Sequence, residues 1–73
     1  MHNYDFRLEI GREIAEIRKR LDLTLDGFAA LFNRTDPRGD NLTTTGQNIW
    51  KYENGASPVS AEKYKKFLSL GGK

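Results

Sequence analysis

The sequence contains no cysteine and one histidine, His2, which stands next to its beginning. Without cysteine the chain has no disulfides, no thiolate metal ligands and no catalytic thiol, and one histidine cannot form a multi-histidine metal site. The remaining residues show no pair of catalytic carboxylates, no nucleophile with its base and no glycine-rich phosphate loop. We therefore expect a binding module that needs no metal or cofactor, rather than an enzyme.

Long apolar stretches are missing as well. No window approaches the roughly 18 apolar residues of a membrane-spanning helix, and the residues after Met1 lack the apolar segment of a signal peptide. We therefore expect a cytoplasmic protein that does not bind a membrane. Its 73 residues suffice for one small domain, 1–73.

The net charge is only +2 and is unevenly distributed. Residues 1–40 hold 7 Lys/Arg and 8 Asp/Glu, a net −1, whereas residues 41–73 hold 5 Lys and 2 Glu, a net +3. Such a balance allows a nucleic-acid partner without requiring one. The second half is the better candidate for facing phosphate groups.

Two helices are predicted before residue 33. The first, about 5–21, rests on apolar residues at spacings of three and four. These are Phe6, Ile10, Ile14, Ile17 and Leu21. Gly11 within it costs roughly 1 kcal/mol relative to alanine, which indicates a close packing contact. The second helix, about 25–32, begins after Thr24, a good N-cap, with Asp26 in its first turn.

A loop and a third helix follow. Residues 33–43 form a predicted loop, because Pro37 and Gly39 lie in a turn-forming cluster. Thr44 or Thr45 then caps a third helix, about 45–54, which ends at Asn54-Gly55. A loop this long in so small a domain is often functional.

The fourth helix is predicted over about 58–70. Its N-cap is Ser57, followed by Pro58 in the first turn, or the competing Ser60. Three lysines on this helix are expected to form a solvated surface: Lys63, Lys65 and Lys66. No strand-like alternation occurs, so the pattern predicts a small all-α fold of four short helices.

Two segments resemble the phage repressor/Cro-like (XRE-type) family of helix-turn-helix domains. The run from Ile10-Gly11 through Arg18 to Leu23-Thr24 is similar to the opening of that family, and Thr44 to Gly55 is similar to its recognition helix with the Glu-Asn-Gly ending. The resemblance covers nearly the whole chain. It implies an all-α lambda-repressor-like domain of four, or four to five, helices with an enlarged loop between helices 2 and 3.

The resemblance also implies roles for individual residues. Arg18 would form a half-buried structural ion pair with Glu53, and Ala29 would lie where helices 2 and 3 cross. The expected DNA base contacts are Thr45, Gly46, Gln47, Asn48 and Lys51. The expected DNA phosphate contacts are Thr24, Thr44, Asn54, Arg34 and Arg38.

Three features depart from the family pattern or are unusual. Leu25 stands where the family commonly has a polar residue that touches phosphate, and the turn between helices 2 and 3 is enlarged by an insertion near Asn33. Trp50 lies on the flank of the third helix. We expect it to cover the insertion by packing on Leu42 and Pro37; the alternatives are a sugar–phosphate contact or a subunit contact.

The function implied is sequence-specific binding of double-stranded DNA by a transcriptional repressor or regulator, with helix 3 in the major groove. A palindromic operator and a homodimer, at least on DNA, are expected because one such module makes few base contacts. The alternative is an antitoxin or adaptor that uses the domain mainly to bind a partner protein, such as a toxin.

Overall fold

The computed structural model describes residues 6–34 and 42–71. This part of the chain folds into four helices and contains no strand, which confirms the all-α prediction. The helices are α1 (Phe6–Arg20), α2 (Leu25–Arg34), α3 (Gly46–Glu53) and α4 (Ala61–Leu70).

The apolar stripe of α1 is buried only in its middle. Ile14 and Ile17 belong to the core, whereas Phe6 is 63% exposed and Leu21 is 38% exposed. Helix α1 is about 22 Å long and α3, against which it packs, about 12 Å, so the ends of α1 extend beyond the surface that could bury them. Phe6 and Leu21 therefore contribute little to the core, whereas Ile10 is partly buried against it.

Gly11 is the point of closest approach between α1 and α3. A Cβ atom at this position would lie 3.0 Å from the carbonyl carbon of Glu53 and closer still to the carbonyl oxygen of Tyr52. Both neighbours are backbone atoms, which cannot turn aside as a side chain can. The packing contact expected from this glycine is confirmed, and it allows the two helix backbones to touch.

Two helices end in a Schellman motif. After α1, the amide of Asp22 donates to Lys19 O and that of Leu23 to Arg18 O, with Asp22 at a φ of 59°. After α3, Gly55 takes the same left-handed position at a φ of 71°. The glycine meets this backbone requirement without strain, whereas the aspartate meets it at some energetic cost.

The N-caps of α3 and α4 resolve two alternatives. The Thr45 side chain accepts the amide of Asn48, so Thr45 rather than Thr44 caps α3. The Ser60 side chain accepts the amide of Lys63, so α4 begins at Ala61 and not near residue 58. Pro58 lies in the connector instead of the first helical turn.

Phe67 of α4 is the centre of the core. Its ring centroid lies 4.6 Å from that of Phe32, 5.4 Å from that of Phe28 and 6.1 Å from that of Tyr52. The preceding Lys66 is buried too, with its Nζ 4.5 Å from the centroid of the Phe32 ring. The prediction that Lys66 belongs to a solvated surface is wrong, because the turn of α4 that buries Phe67 also directs Lys66 across α2.

Helix α2 is longer than predicted and is joined directly to the start of α3. Asn33 and Arg34, predicted to be loop, are its last residues. The side-chain amide of Asn33 donates to the carbonyl of Thr44 at 3.0 Å, and its oxygen accepts the amide of Thr44 at 2.8 Å. This pair of hydrogen bonds, called here the Asn33–Thr44 bridge, holds the end of α2 next to the residue that precedes the N-cap of α3.

Candidate nucleic-acid interface

Helix α3 is fixed from its inner side. Ile49 and Tyr52 are buried in the core, and Glu53 points towards α1, where it meets Arg18. Arg18 Nε donates to Glu53 Oε2 at 2.6 Å and Nη2 donates to Oε1 at 3.0 Å. This two-pronged geometry is the favoured one for arginine and carboxylate, and the expected ion pair is confirmed.

Arg18 also connects α1 to the turn that leads into α2. Its Nη1 donates to the carbonyl of Leu23 at 3.0 Å. The hydrogen bond with Glu53 raises the pKa of Arg18 above its ordinary value, against the opposing effect of burial. The guanidinium thus stays charged and sets the position of α3 relative to both α1 and the start of α2.

The opposite side of α3 is polar and open. Gln47, Trp50 and Asn54 are exposed, and Asn48 and Lys51 are partly exposed. Residues 50 and 51 each lie three or four positions from both 47 and 54, so the four residues share one side of the helix. Glu53 is the one acidic residue within α3, and its charge is compensated by Arg18. The outer side of α3 therefore presents amide groups, an ammonium and an indole.

Threonine hydroxyls lie at the N-termini of α2 and α3. Thr24 Oγ1 accepts the amide of Gly27 at 3.0 Å, and Thr45 Oγ1 accepts the amide of Asn48 at 3.1 Å. Both threonines are exposed. A hydroxyl that accepts in a cap keeps its own hydrogen for a second partner, so Thr24 could also donate to a phosphate oxygen and Thr45 to an acceptor on a base edge.

Gly46 does not have the environment expected of a base contact. It is buried, and a Cβ atom on it would lie 3.1 Å from Cγ of Asp26 and 3.2 Å from the Asp26 amide nitrogen. The glycine is needed where the first turns of α2 and α3 meet. Its backbone is covered by Asp26 and so is not presented to DNA, which corrects the expectation of a direct base contact at this residue.

Thr44 also differs from its expected role. It is only 5% exposed, and its hydroxyl oxygen is buried without a hydrogen-bond partner. A phosphate cannot reach this hydroxyl, because the Asn33–Thr44 bridge turns the residue inward. Thr44 is therefore corrected from a phosphate contact to part of the connection between α2 and α3.

Of the other predicted phosphate contacts, Arg34 and Asn54 belong to the described residues and Arg38 does not. Arg34 is exposed at the end of α2, and Asn54 is exposed at the end of α3, where its side-chain amide donates to the carbonyl of Trp50 at 2.8 Å. Arg38 lies outside the described residues. Arg34 and Asn54 are thus accessible, at the C-terminal ends of the two helices.

Trp50 is about half exposed. Its side chain is 52% exposed, whereas Leu42 packs against the core. Pro37, the other expected neighbour, lies outside the described residues. The indole therefore belongs to the exposed side of α3.

Two structural contacts beside this surface were missed by reasoning from the sequence. Asn33 was assigned to the loop, although an amide side chain at a helix end is well suited to bond a returning backbone. Asp26 was assigned only a favourable charge in the first turn of α2. A glycine at the first position of α3 was the available signal that another residue occupies that space.

Comparison with protein-family models, with curated proteins and with solved structures gives no match to this chain. Within residues 6–34 and 42–71, no group of three or more His, Cys, Asp or Glu side chains could hold a metal ion. No helix of that part is long and apolar enough to cross a membrane.

Proposed function

We propose that this protein binds double-stranded DNA sequence-specifically, with α3 in the major groove. The observation that carries the proposal is the two-sided character of α3. Ile49 and Tyr52 anchor one side in the core, and Gln47, Lys51 and Asn54 lie together on the other. A short helix held rigidly with hydrogen-bonding side chains outward is what direct readout of base pairs requires.

The accessible side chains divide into base and phosphate contacts. Gln47 suits adenine, whose N6 and N7 match a side-chain amide, and Lys51 suits guanine O6 and N7. Asn48 and Thr45 flank Gln47 at the start of α3 and add polar and methyl contacts. The proposed phosphate contacts are Thr24, Asn54, Arg34 and Arg38, which would set the register on the duplex.

The modest net charge of +2 is consistent with a small number of phosphate contacts beside the base contacts. Its 12 Lys/Arg residues are nearly balanced by 10 Asp/Glu residues, so the protein gains little from the sequence-independent attraction to phosphate. Its affinity must therefore come largely from contacts to base edges, and from two copies on one operator. We propose a cytoplasmic transcriptional repressor or regulator that binds a palindromic site as a homodimer.

Selection of bound sequences from random duplex DNA tests the proposal. We expect an enriched, roughly two-fold symmetric motif, with binding that weakens as salt is raised. Gln47→Ala should relax the preference at one position of each half-site, by about 1–3 kcal/mol. Absence of any binding at low salt would refute the function.

Lysine substitutions supply a matched control for charge. Lys51→Ala and Lys65→Ala remove the same charge, one from the outer side of α3 and the other from an exposed position on α4. Only Lys51→Ala should alter the selected motif. Trp50 is the single tryptophan of the chain, so its fluorescence reports binding directly in the same samples.

The exposed indole of Trp50 also favours a second candidate, recognition of a partner protein such as a toxin. Tryptophan is the residue type most enriched among the energetic centres of protein interfaces. The apolar Leu25 at the start of α2 suits this role as well. Co-purification with the product of a neighbouring gene, lost in Trp50→Ala while DNA selection yields no motif, would favour this candidate over DNA binding.

A further inference from the structure

The carboxylate of Asp26 occupies the place that a side chain at residue 46 would fill. Gly46 has no side chain, and the position of its absent Cβ atom lies 3.1 Å from Cγ of Asp26, with one carboxylate oxygen nearer still. Gly46 is buried beneath this contact, whereas Asp26 itself is exposed. An acidic group carried by α2 is therefore presented at the N-terminal tip of α3.

This carboxylate is open to an external donor. Within the described chain, no side chain or backbone amide donates a hydrogen bond to Asp26 and no basic side chain forms a salt bridge with it. An ionised carboxylate accepts hydrogen bonds through both oxygens and donates none. Its natural partner is a group with N–H donors.

The location selects a base rather than a phosphate. A phosphate brought to this tip would meet the negative charge of Asp26 at close range and be repelled. A base edge in the major groove offers N–H donors without a negative charge. Among the bases, cytosine presents its N4 amino group as a donor, whereas guanine and thymine present acceptor oxygens and adenine pairs its donor with the acceptor N7.

We propose that Asp26 is a specificity-determining residue that reads a cytosine at the base pair facing the N-terminal tip of α3. The proposal rests on the DNA-binding function proposed above. The first position of α3 would ordinarily carry a side chain that contacts a base. Here that position is Gly46, which leaves space for the Asp26 carboxylate to make the contact from α2. Cytosine is preferred through its N4 donor, and guanine and thymine are rejected by repulsion between acceptors.

The test compares selected motifs for the wild-type protein and variants at Asp26. Wild-type protein should enrich cytosine at one position of each half-site. Asp26→Ala should lower that preference by about 5- to 150-fold, the range expected for one good side-chain contact, and leave the other positions unchanged. Asp26→Asn should shift the preference to adenine, because an amide matches adenine N6 and N7.

Two further variants separate position from charge. Gly46→Ala keeps Asp26 but forces its carboxylate aside, so the cytosine preference should fall in this variant too. Glu16→Gln makes the same charge change as Asp26→Asn in the groove between α1 and the end of α4, and should leave the motif intact. Thermal unfolding followed by circular dichroism confirms that each variant is folded.

The outcomes distinguish the inference from the function on which it rests. A wild-type motif that persists unchanged in Asp26→Ala would overturn the cytosine contact and leave DNA binding standing. The cytosine contact would also be overturned if Asp26→Ala strengthened binding to all sequences equally, since the carboxylate would then act through charge alone. No wild-type motif at any salt concentration would instead overturn DNA binding itself.

Discussion

Replacing Arg18 by alanine should destabilise the domain strongly. The substitution removes two hydrogen bonds to Glu53, at 2.6 and 3.0 Å, and one to the carbonyl of Leu23 at 3.0 Å. It also leaves the Glu53 carboxylate, whose side chain is 10% exposed, without its counterion. Removing one partner of a buried pair costs about 3–5 kcal/mol, and the residual exposure favours the lower figure, about 3 kcal/mol.

The loss should be visible in thermal unfolding. For a domain of this size 1 kcal/mol shifts the Tm by about 4–8 °C, so Arg18→Ala should lower it by roughly 12–24 °C. Total stability for 73 residues is of order 4–11 kcal/mol, so the variant should still fold at low temperature. Circular dichroism at increasing temperature measures the effect.

Two controls identify the cause. Arg12→Ala removes an exposed arginine from the same helix and should change the stability by no more than about 0.5 kcal/mol. Replacing both Arg18 and Glu53 by methionine should restore much of the loss, because no uncompensated charge then remains. If Arg18→Ala unfolds at the same temperature as Arg12→Ala, the reasoning from the ion pair is refuted.

Three further predictions concern other contacts. Asp22→Gly should stabilise the protein by about 0.5–1 kcal/mol in urea unfolding, because residue 22 has a positive φ; a lower midpoint would contradict this. Thr44→Val should leave stability equal or higher, since it removes a buried hydroxyl without a partner; a loss above about 1 kcal/mol would disprove it. The hydrogen bond to Glu13 raises the pKa of Tyr64 above 10.0, so this interaction stabilises the fold below pH 10 and is lost as pH rises through the shifted pKa. Glu13→Gln should lower that pKa, measured by tyrosinate absorbance; an unchanged value would argue against the contact.

Local patterns predicted most of the helices. The apolar spacing located the middle of α1, and the threonine and serine caps located the starts of α2 and, as one of two options, of α3 and α4. The Arg18–Glu53 pair was predicted from a family resemblance and not from periodicity. The close packing at Gly11 was predictable because a glycine inside a helix lowers its stability unless the glycine allows a close contact.

The residues that were wrongly assigned are those whose surroundings depend on how the helices pack against one another. Lys66 was assigned to a solvated surface because its burial depends on where α4 lies across Phe32, which no local pattern encodes. Asn33 was assigned to the loop because its partner, Thr44, lies 11 residues further along the chain. Asp26 was given a role in α2 alone, although its neighbour Gly46 belongs to α3.

The Asn33–Thr44 bridge makes the sequence of the segment between α2 and α3 easier to change than the sequence of the helices themselves. The bridge fixes where the chain leaves α2 and where it re-enters at α3, and Leu42, which follows residues 35–41, packs against the core. Lengthening such a segment costs only about 0.6 kcal/mol for each doubling. Residues 35–41 can therefore be exchanged for a different sequence without changing the direction of α3.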